Sequence, residues 1–351
     1  MVLNVEEIRK IDKKNMLKLL MDFPEQCEYA YKLACDFKLP KKLSRISSVI
    51  VTGLGGSAIG GDLLKAYLNS ETKIPIVVNR NYILPSWVNK NTLIFAVSYS
   101  GNTEETISAY KAARKIGAKI ICITTGGELS ELSKKDNVPT VFIPTGYPPR
   151  TALGYLFLPI LVLMNKLGLI DNKRKEIQDM IFLLRKLTKQ YAPDVSINSN
   201  FAKKIATKLH NKPVVVYGVS DWTEAVALRW KGQLTENGKV LAFVSLLPEM
   251  NHNEVVGWDI LKDKLKNFAA IFLRDDSDLS RIKKRIEITK SIITKRAGCV
   301  QEVYSSGGNL LSRLMSLICL GDFVSIYVAI LNKVDPTPVA VIDYLKKQLK
   351  K

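Results

Sequence analysis

The sequence predicts an α/β protein of two domains, each a doubly wound parallel sheet flanked by helices. Short runs of β-branched residues alternate with stretches of helical periodicity, and this alternation occurs twice along the chain. The length of 351 residues suits two domains of about 150 residues each. Hydrophobic residues make up 47% and charged residues 24%, so a sizeable core is expected rather than wholesale disorder.

The N-terminal segment, residues 1–44, is predicted to be helical. Met16, Leu19, Leu20 and Phe23 are apolar residues at helical spacing. A lysine-rich turn at 40–42 would end this segment before the first strand.

The first α/β domain is predicted at residues 45–150. Its strands are the apolar runs at 49–51, 74–78, 93–97, 119–124 and 140–143. Helical stretches at 61–68 and 103–116 lie between strands, and this order is typical of a parallel sheet with crossover helices.

Residues 151–195 are predicted to form connecting helices, after which the alternation restarts in a second domain, 196–331. Strands are expected at 214–217, 240–243, 268–273 and 300–303, and helices at 222–234, 279–296 and 308–331. A C-terminal tail and helix, 332–351, follows, with its helix starting at Val339. One architecture therefore occurs twice, although the two halves show no strong letter-by-letter repeat.

The sequence favours a cytoplasmic location. The N-terminus is polar and lacks the apolar stretch of a signal peptide. The apolar run 152–164 contains Pro159 and is shorter than the roughly 20 residues of a membrane span. The five cysteines are scattered without a CxxC pair, which argues against a zinc site or a disulfide framework and predicts reduced, mostly buried thiols.

The formal charge of +19 raises the question of a nucleic-acid partner. The basic residues are spread over several segments and are interleaved with acidic or apolar helix positions, without an aromatic and basic stacking platform. Solvated helix faces explain most of this charge, and the remaining field would favour an anionic substrate. We therefore expect neither a nucleic-acid nor a membrane partner.

A glycine-rich segment follows the first predicted strand and opens a helix. Glycines in the segment 53–61 let the backbone approach a ligand, and the NH groups of a helix N-terminus attract anions. The spacing of Gly53, Gly55 and Ala58 also matches a dinucleotide fingerprint. The acidic residue expected after the second strand for NAD is absent, but Arg80 at that place keeps an NADP enzyme as an alternative.

A segment rich in hydroxyl groups, 98–106, also runs from a strand end into a helix. Ser98, Ser100 and Thr103 with nearby amide groups can form a phosphate cradle without lysine. The alternative is a Ser/Thr helix cap, but one hydroxyl suffices for capping, and the surplus favours anion binding.

These two segments resemble the phosphosugar pocket of SIS (sugar isomerase) domains. Further motifs lie at 147–154, 233–237, 249–254 with Gly257-Trp258, 334–338 and 342–346. Together these motifs resemble the bifunctional phosphoglucose/phosphomannose isomerase family, in order from about residue 45 to the C-terminus. The departures are Leu54, where the family often has Met, and a slightly longer chain before the last motif.

The resemblance implies an aldose-ketose isomerase that interconverts glucose 6-phosphate, and also mannose 6-phosphate, with fructose 6-phosphate through a cis-enediol. It implies Glu236 as the base, His252 as a ring-opening acid/base, Lys346 as its assistant and Arg150 as the cation that stabilises the enediolate. Thr337 would lie beside the sugar and permit both C2 epimers. The remaining implied substrate-binding residues are Gly55, Gly56, Ser57, Ser98, Ser100 and Thr103.

Each reacting group has an ordinary structural alternative. Glu236 could be a surface carboxylate, His252 a structural histidine, and Lys346 a solvated lysine among its lysine neighbours. No metal-ligand cluster is visible, and proton transfer through an enediol needs no metal or cofactor.

Two other protein classes remain open at the level of the sequence. A non-catalytic SIS protein that binds or senses a phosphosugar would keep the hydroxyl cradle and lack the set of Glu236, His252 and Arg150, which this chain retains. An amino-sugar phosphate isomerase would normally carry an amidotransferase portion, and none is visible. The resemblance also implies a homodimer with a shared active site, in which His252 comes from the neighbouring subunit.

Overall fold

The computed structural model describes residues 3–40, 43 and 45–349, so the predicted turn at Lys41 and Lys42 lies outside the described residues. The chain divides into two compact units. The first-sheet unit comprises residues 22–182 and 308–312, and the second-sheet unit comprises residues 1–21, 183–307 and 313–351.

The N-terminal segment is helical as predicted, but it forms three helices, namely α1 (Val5–Ile11), α2 (Met16–Met21) and α3 (Phe23–Asp36). Asp12 separates the first two helices because its carboxylate accepts the backbone NH groups of Met16 and Leu17, each at 2.8 Å. These bonds satisfy donors that the first turn of α2 leaves unpaired, which a hydrophobic period does not reveal.

The first sheet contains five parallel strands in the order β2-β1-β3-β4-β5. Val49, Ile50 and Val51 in the central strand are fully buried, as expected for a sheet covered on both faces. Along the chain the elements are β1 (Ser48–Thr52), α4 (Gly56–Leu68), β2 (Ile76–Asn79), β3 (Thr92–Ser98), α5 (Glu104–Ile116), β4 (Lys119–Thr124), α6 (Gly127–Lys135) and β5 (Thr140–Phe142). The crossover helix α6 is short and contains few apolar residues, and the sequence pattern did not reveal it.

The connecting region begins with a 3-10 turn (Pro149–Thr151) and continues as α7 (Leu153–Lys166) and α8 (Arg174–Gln190). Almost all of α7 is buried, including Pro159 within the helix. The apolar run that is too short for a membrane span is thus a core helix of the first-sheet unit.

The second sheet has four parallel strands in the order β7-β6-β8-β9. This order repeats that of the first four strands of the first sheet, which confirms the predicted fold class. Its elements are α9 (Phe201–Leu209), β6 (Val214–Val219), α10 (Glu224–Glu236), β7 (Ala242–Leu247), two 3-10 turns (Glu249–His252 and Glu254–Trp258), α11 (Lys262–Leu265), β8 (Ala269–Arg274), α12 (Ser280–Ile293) and β9 (Cys299–Tyr304).

The last two helices are α13 (Leu310–Leu331) and α14 (Ala340–Leu349). Among the described residues, α13 is the helix that is long and apolar enough to cross a membrane, but its apolar window is 100% buried inside the protein. A helix that is apolar all round and fully covered is typical of a protein core. In contrast, no residue of α14 is buried.

Candidate active site

The strand order of the first sheet places the two motif loops side by side. Strands β2 and β3 flank β1, so the chain crosses to opposite sides after β1 and after β3. In open parallel sheets, ligands bind at this switch point, beyond the carboxyl ends of the strands. The glycine-rich loop leaves β1 and the hydroxyl-rich loop leaves β3, so the fold brings together the two segments that the sequence separates by some forty residues.

A direct hydrogen bond joins these two loops. The backbone NH of Tyr99 donates to Ser57 Oγ at 3.2 Å. Gly55 has φ of 52°, a left-handed conformation that favours glycine, and it directly precedes α4. At the start of α4, Gly55 is exposed at the switch point, whereas the NH groups of Ser57 and Ala58 already donate to the carbonyl oxygens of Leu54 and Gly55.

Thr103 occupies the N-cap position of α5 but makes no side-chain capping bond. Its hydroxyl lies 2.9 Å from Ser98 Oγ, and Ser100 Oγ accepts the NH of Asn102 at 3.3 Å. Thr103 therefore does not cap the helix with its side chain, which was the structural alternative for this segment. The hydroxyl groups form a cluster at the N-terminus of α5, a place that favours an anion.

The loop at residues 126–128 supports the hydroxyl cluster. Asn102 Oδ1 accepts the NH of Glu128 at 3.0 Å. Gly101 has φ of 73°, and a Cβ atom there would lie 1.7 Å from the carbonyl oxygen of Gly126. Only glycine allows this close approach, which fixes the loop that carries Ser100.

Arg150 lies in the same unit on the turn that covers the glycine-rich loop. A Cβ atom on Gly56 would lie 2.6 Å from the carbonyl oxygen of Pro149, so these two backbones are in close contact. Arg150 is only 5% exposed. The structure thus brings the buried Arg150 turn against the start of α4.

Gln26 and Tyr99 hold the Arg150 turn in place, and sequence reasoning missed both. Gln26 Nε2 donates to the carbonyl oxygen of Thr151 at 2.8 Å, and its Oε1 accepts the NH of Gly154 at 2.8 Å. The hydroxyl of Tyr99 donates to the carbonyl oxygen of Pro144 and accepts the NH of Tyr147. Tyr99 lies within the hydroxyl-rich segment 98–106 and could have been found there, whereas nothing in the sequence around Gln26 marks it.

Glu236 is the last residue of α10 in the second-sheet unit. The helix is anchored to α13 by a buried ion pair between Arg229 and Asp322, whose carboxylate also accepts from Gln233. Burial raises the pKa of Asp322, and the bonds from Arg229 and Gln233 oppose that rise. One turn further, Asn237 Nδ2 donates to Ser325 Oγ at 2.9 Å. This buried polar ladder fixes the end of the helix that carries Glu236.

Lys239 connects Glu236 with the segment that carries Thr337. Its ammonium group donates to the carbonyl oxygen of Glu236 and, at 2.6 Å, to that of Pro338. The NH of Thr337 donates to Asp335 Oδ1 at 2.9 Å. The structure therefore brings the predicted residues Glu236 and Thr337 to one region, through a lysine that the sequence analysis did not single out.

His252 ends the first 3-10 turn after β7, and its side chain is exposed. Asn251 pins this turn to α12, because its Nδ2 donates to Thr289 Oγ1 at 2.7 Å. The next turn is fixed by Glu254, which accepts from the buried Tyr217 hydroxyl at 2.7 Å. Burial, and then the Glu254 carboxylate, raise the pKa of Tyr217 well above its usual value. A firmly held turn thus presents an exposed imidazole.

Lys346 lies on α14, where it is exposed like the rest of that helix. Among the described residues of the second-sheet unit, no hydrogen bond or ion pair joins Glu236 to Lys346 or to His252. Among the described residues, no group of three or more His, Cys, Asp and Glu side chains could hold a metal ion. Arg80, which kept the NADP alternative open, forms an ion pair with Asp62.

Comparison with known proteins defines the class of this chain. The family model of the SIS domain matches residues 42–143, and that of the bacterial phospho-glucose isomerase C-terminal SIS domain matches residues 198–349. The protein therefore contains two SIS domains, one on each sheet.

Curated relatives narrow the class to a family. The chain is 46% identical to the bifunctional phosphoglucose/phosphomannose isomerase of Caldicellulosiruptor bescii, over 95% of this chain and 98% of that protein. It is 34% identical to the protein of the same name from Aquifex aeolicus, over 89% of this chain and 93% of the relative. The chain belongs to the bifunctional phosphoglucose/phosphomannose isomerase family and is an isomerase.

A solved structure shares the architecture over the whole chain. The glucose-6-phosphate isomerase like protein of Thermus thermophilus superposes with a TM-score of 0.66 at 17% identity, and the match covers 99% of both chains. At this identity the likeness supports the fold alone.

Proposed function

We propose that this isomerase interconverts glucose 6-phosphate and mannose 6-phosphate with fructose 6-phosphate through a cis-enediol intermediate, in the cytoplasm and without a metal or cofactor. This chain matches nearly the whole length of two relatives whose names include both activities. The observation that carries the proposal is the cradle at the switch point of the first sheet, where hydroxyl groups, two helix N-termini and the turn that carries Arg150 lie together.

The cradle suits the phosphate end of the substrate. A phosphate dianion there would accept NH and OH donors from Ser57, Ser98, Ser100 and Thr103 and from the backbone at Gly55 and Gly56. These contacts touch the non-reacting end of the sugar, so they contribute mainly to affinity.

The reacting groups have separate roles in this proposal. Glu236 moves the proton between C2 and C1, His252 with Lys346 exchanges the proton of the ring oxygen during ring opening, and Arg150 stabilises the enediolate oxygen. An imidazole suits this exchange because its ordinary pKa is close to neutral. Thr337, tied to the Glu236 region through Lys239, lies beside the sugar and accepts either C2 epimer.

Within one second-sheet unit, Glu236 and His252 lie at opposite edges of the sheet. Helix α10 runs back after β6, so its last residue lies at the amino edge, and the six residues of β7 then lead to the carboxyl edge, where His252 follows. At ~3.3 Å per residue, β7 alone separates them by about 20 Å. This distance is too long for two groups acting on one hexose, and it supports a homodimer in which His252 acts in the partner's site.

The surface around His252 supports the same assembly. Val256, Ile260 and Leu261 follow it with exposed fractions of 73%, 84% and 60%. Apolar side chains clustered beside a firmly held polar turn are typical of a subunit interface. In the proposed dimer, a second copy of this chain covers them and receives the imidazole.

The reaction is tested by incubating the purified protein with fructose 6-phosphate in EDTA and identifying the sugar phosphates by NMR. Both aldose 6-phosphate epimers should form. If neither forms while fructose 6-phosphate still binds, the non-catalytic SIS alternative is correct. If only one epimer forms, the bifunctional assignment is wrong.

The shared site is tested by mixing Glu236→Gln chains with His252→Ala chains. Random subunit exchange makes about half of the dimers mixed, and each mixed dimer would have one intact site, so activity should recover to about a quarter of the wild-type value. Each variant mixed with itself is the control. No recovery after exchange is verified by mass spectrometry would eliminate the shared site and leave the isomerase assignment standing.

A further inference from the structure

The last helix, α14, has an exposed apolar face. Val341, Leu345 and Leu349 recur every four residues and therefore lie on one side of the helix, where Ile342 and Tyr344 flank them. The exposed fractions of Val341, Tyr344, Leu345 and Leu349 lie between 57% and 82%, although residues of these types are commonly buried in proteins. These five residues are called the α14 stripe below.

The length of α14 makes a covering surface necessary. The helix has ten residues, and isolated helices shorter than ~12–15 residues are marginal in water, so packing of an apolar face must supply their stability. The segment before the helix is held, because Lys239 donates to the carbonyl oxygen of Pro338 and the NH of Thr337 donates to Asp335 Oδ1. The helix therefore begins at a fixed place and presents its stripe there.

That place is beside the proposed base. The carbonyl oxygens of Glu236 and Pro338 both accept from the Lys239 ammonium group, so they lie no more than about 6 Å apart. In the proposed shared site, His252 of the partner subunit reaches a hexose at Glu236. The partner's exposed apolar residues that follow His252 are then brought to the start of α14.

The dimensions of the two surfaces allow contact between them. At 1.5 Å per residue, α14 is about 15 Å long. Val256, Ile260 and Leu261, called the turn patch below, follow His252 within nine positions, which span about 20 Å or less at ~2 Å per residue of a 3-10 turn. An imidazole placed at the Glu236 site thus puts the turn patch within reach of the α14 stripe.

We propose that the α14 stripe of one chain docks on the turn patch of a second copy of this chain. The contact is reciprocal, because a two-fold dimer buries the same pair of surfaces twice. Lys346 lies four residues after Ile342 and three before Leu349, so it borders the stripe and comes beside the partner's His252 when the stripe is covered. The inference rests on the shared site proposed above and adds the surface that aligns the two ring-opening groups.

Cross-linking between two kinds of chain tests the contact directly. Leu345→Cys chains are mixed with Ile260→Cys chains, both in a Cys35→Ser/Cys299→Ser background, since the other three cysteines are buried. After subunit exchange is verified, a bis-maleimide should join the chains, and mass spectrometry should locate the link between positions 345 and 260. Lys347→Cys, on the opposite face of α14, is the matched control and should give several-fold less of the joined product.

A second pair of variants measures the contribution of the stripe to assembly. Val341→Ser with Leu345→Ser should raise the dissociation constant of the dimer about 100-fold or more in sedimentation equilibrium, the scale for losing two apolar contacts per chain. Asp343→Ser with Lys347→Ser changes the polar face of the same helix and should alter the dissociation constant less than about threefold. Because all four side chains are exposed, neither variant should disturb the fold of the chain.

Three outcomes would overturn the docking of α14. The first is equal cross-linking from positions 345 and 347, and the second is an equal dissociation constant for the two double variants. The third is binding of the wild-type protein to phosphatidylglycerol vesicles that the Val341→Ser/Leu345→Ser variant loses while its dimer stays intact, because the stripe would then belong on a lipid surface.

The mixing of Glu236→Gln chains with His252→Ala chains separates this proposal from the shared site itself. Recovered activity without the cross-link between positions 345 and 260 refutes the docking of α14 and leaves the shared site standing. The cross-link without recovered activity supports the docking and refutes the shared site.

Discussion

The two sheets share a strand order and differ in what lies at their switch points. In the first sheet, the loop after β1 (residues 53–55) and the loop after β3 (residues 99–103) contain no carboxylate. In the second sheet, the corresponding loops after β6 and β8 contain acidic residues, namely Asp221, Asp275, Asp276 and Asp278. The same scaffold therefore presents hydroxyl-rich loops at one switch point and carboxylate-bearing loops at the other.

The acidic edge of the second sheet is closed by its own contacts. Asp275 accepts from Ser305 Oγ at 2.7 Å, from the NH of Ser277 at 2.8 Å and from Arg313 Nε at 2.9 Å. The two units thus share an architecture and differ in the chemistry of these two loops.

Glu236 is the proposed base and belongs to the second-sheet unit, so replacing it should have the largest effect on turnover. Glu236→Gln should lower kcat about 10²- to 10⁴-fold with little change in KM, because a positioned base acts in the transition state. Steady-state kinetics with fructose 6-phosphate measure both. Glu131→Gln, an exposed carboxylate on α6, is the matched control. A kcat within about threefold of wild type would place the base elsewhere.

A carboxylate introduced at the switch point of the first sheet should greatly weaken the binding of the substrate phosphate. Ser100→Asp places a carboxylate among the hydroxyls, and its repulsion of a phosphate dianion should raise KM about 100-fold or more. Ser100→Asn has nearly the same size without the charge and should raise KM far less. Equal KM values for the two variants would show that charge does not govern this loop.

Removing hydroxyls from the cradle without adding charge should have a smaller effect. Ser100→Ala with Thr103→Ala should raise KM about 10- to 100-fold and leave kcat within about threefold, since the lost bonds reach the non-reacting end of the substrate. Because Thr103 makes no capping bond, the melting temperature should change little. An unchanged KM with a lowered melting temperature would reduce the segment to a helix cap.

Changing the acidic edge of the second sheet should affect stability and leave KM unchanged. Burial alone would raise the pKa of Asp275, but Ser305, Ser277 and Arg313 together hold it below its usual value. A lowered native pKa stabilises the fold above the unfolded pKa, and this contribution is lost as pH falls through the native pKa. Asp275→Asn should therefore lower the free energy of unfolding by about 1–3 kcal/mol at neutral pH.

Urea denaturation at a series of pH values measures this difference. The gap between wild type and Asp275→Asn should shrink below about pH 4, where the unfolded aspartate takes up its proton. Asp276→Asn, an exposed neighbour, is the control. A gap that does not depend on pH would mean that the Asp275 charge is not what stabilises this edge.

The sequence predicted the two motif loops of the first-sheet unit better than the short helices. Gly55, Ser57, Ser98 and Thr103 stand within two contiguous motifs, and each motif follows a strand that its β-branched residues make evident. The N-terminal helices and α6 were less evident because polar caps and short lengths, rather than a long apolar period, determine their ends.

The sequence by itself determined the alternation of strands and helices, the duplicated architecture and the two loops rich in glycine and hydroxyl groups, because periodicity, glycine and hydroxyl groups act within a few residues. The tertiary structure alone decided which distant groups support them. Gln26 holds the Arg150 turn from 125 positions away, and Lys239 ties the end of α10 to Pro338 across 99 positions. It also decided that Glu236 and His252 lie at opposite edges of one sheet, since sixteen positions along the chain contain a full strand, whose direction is set by pairing with β6.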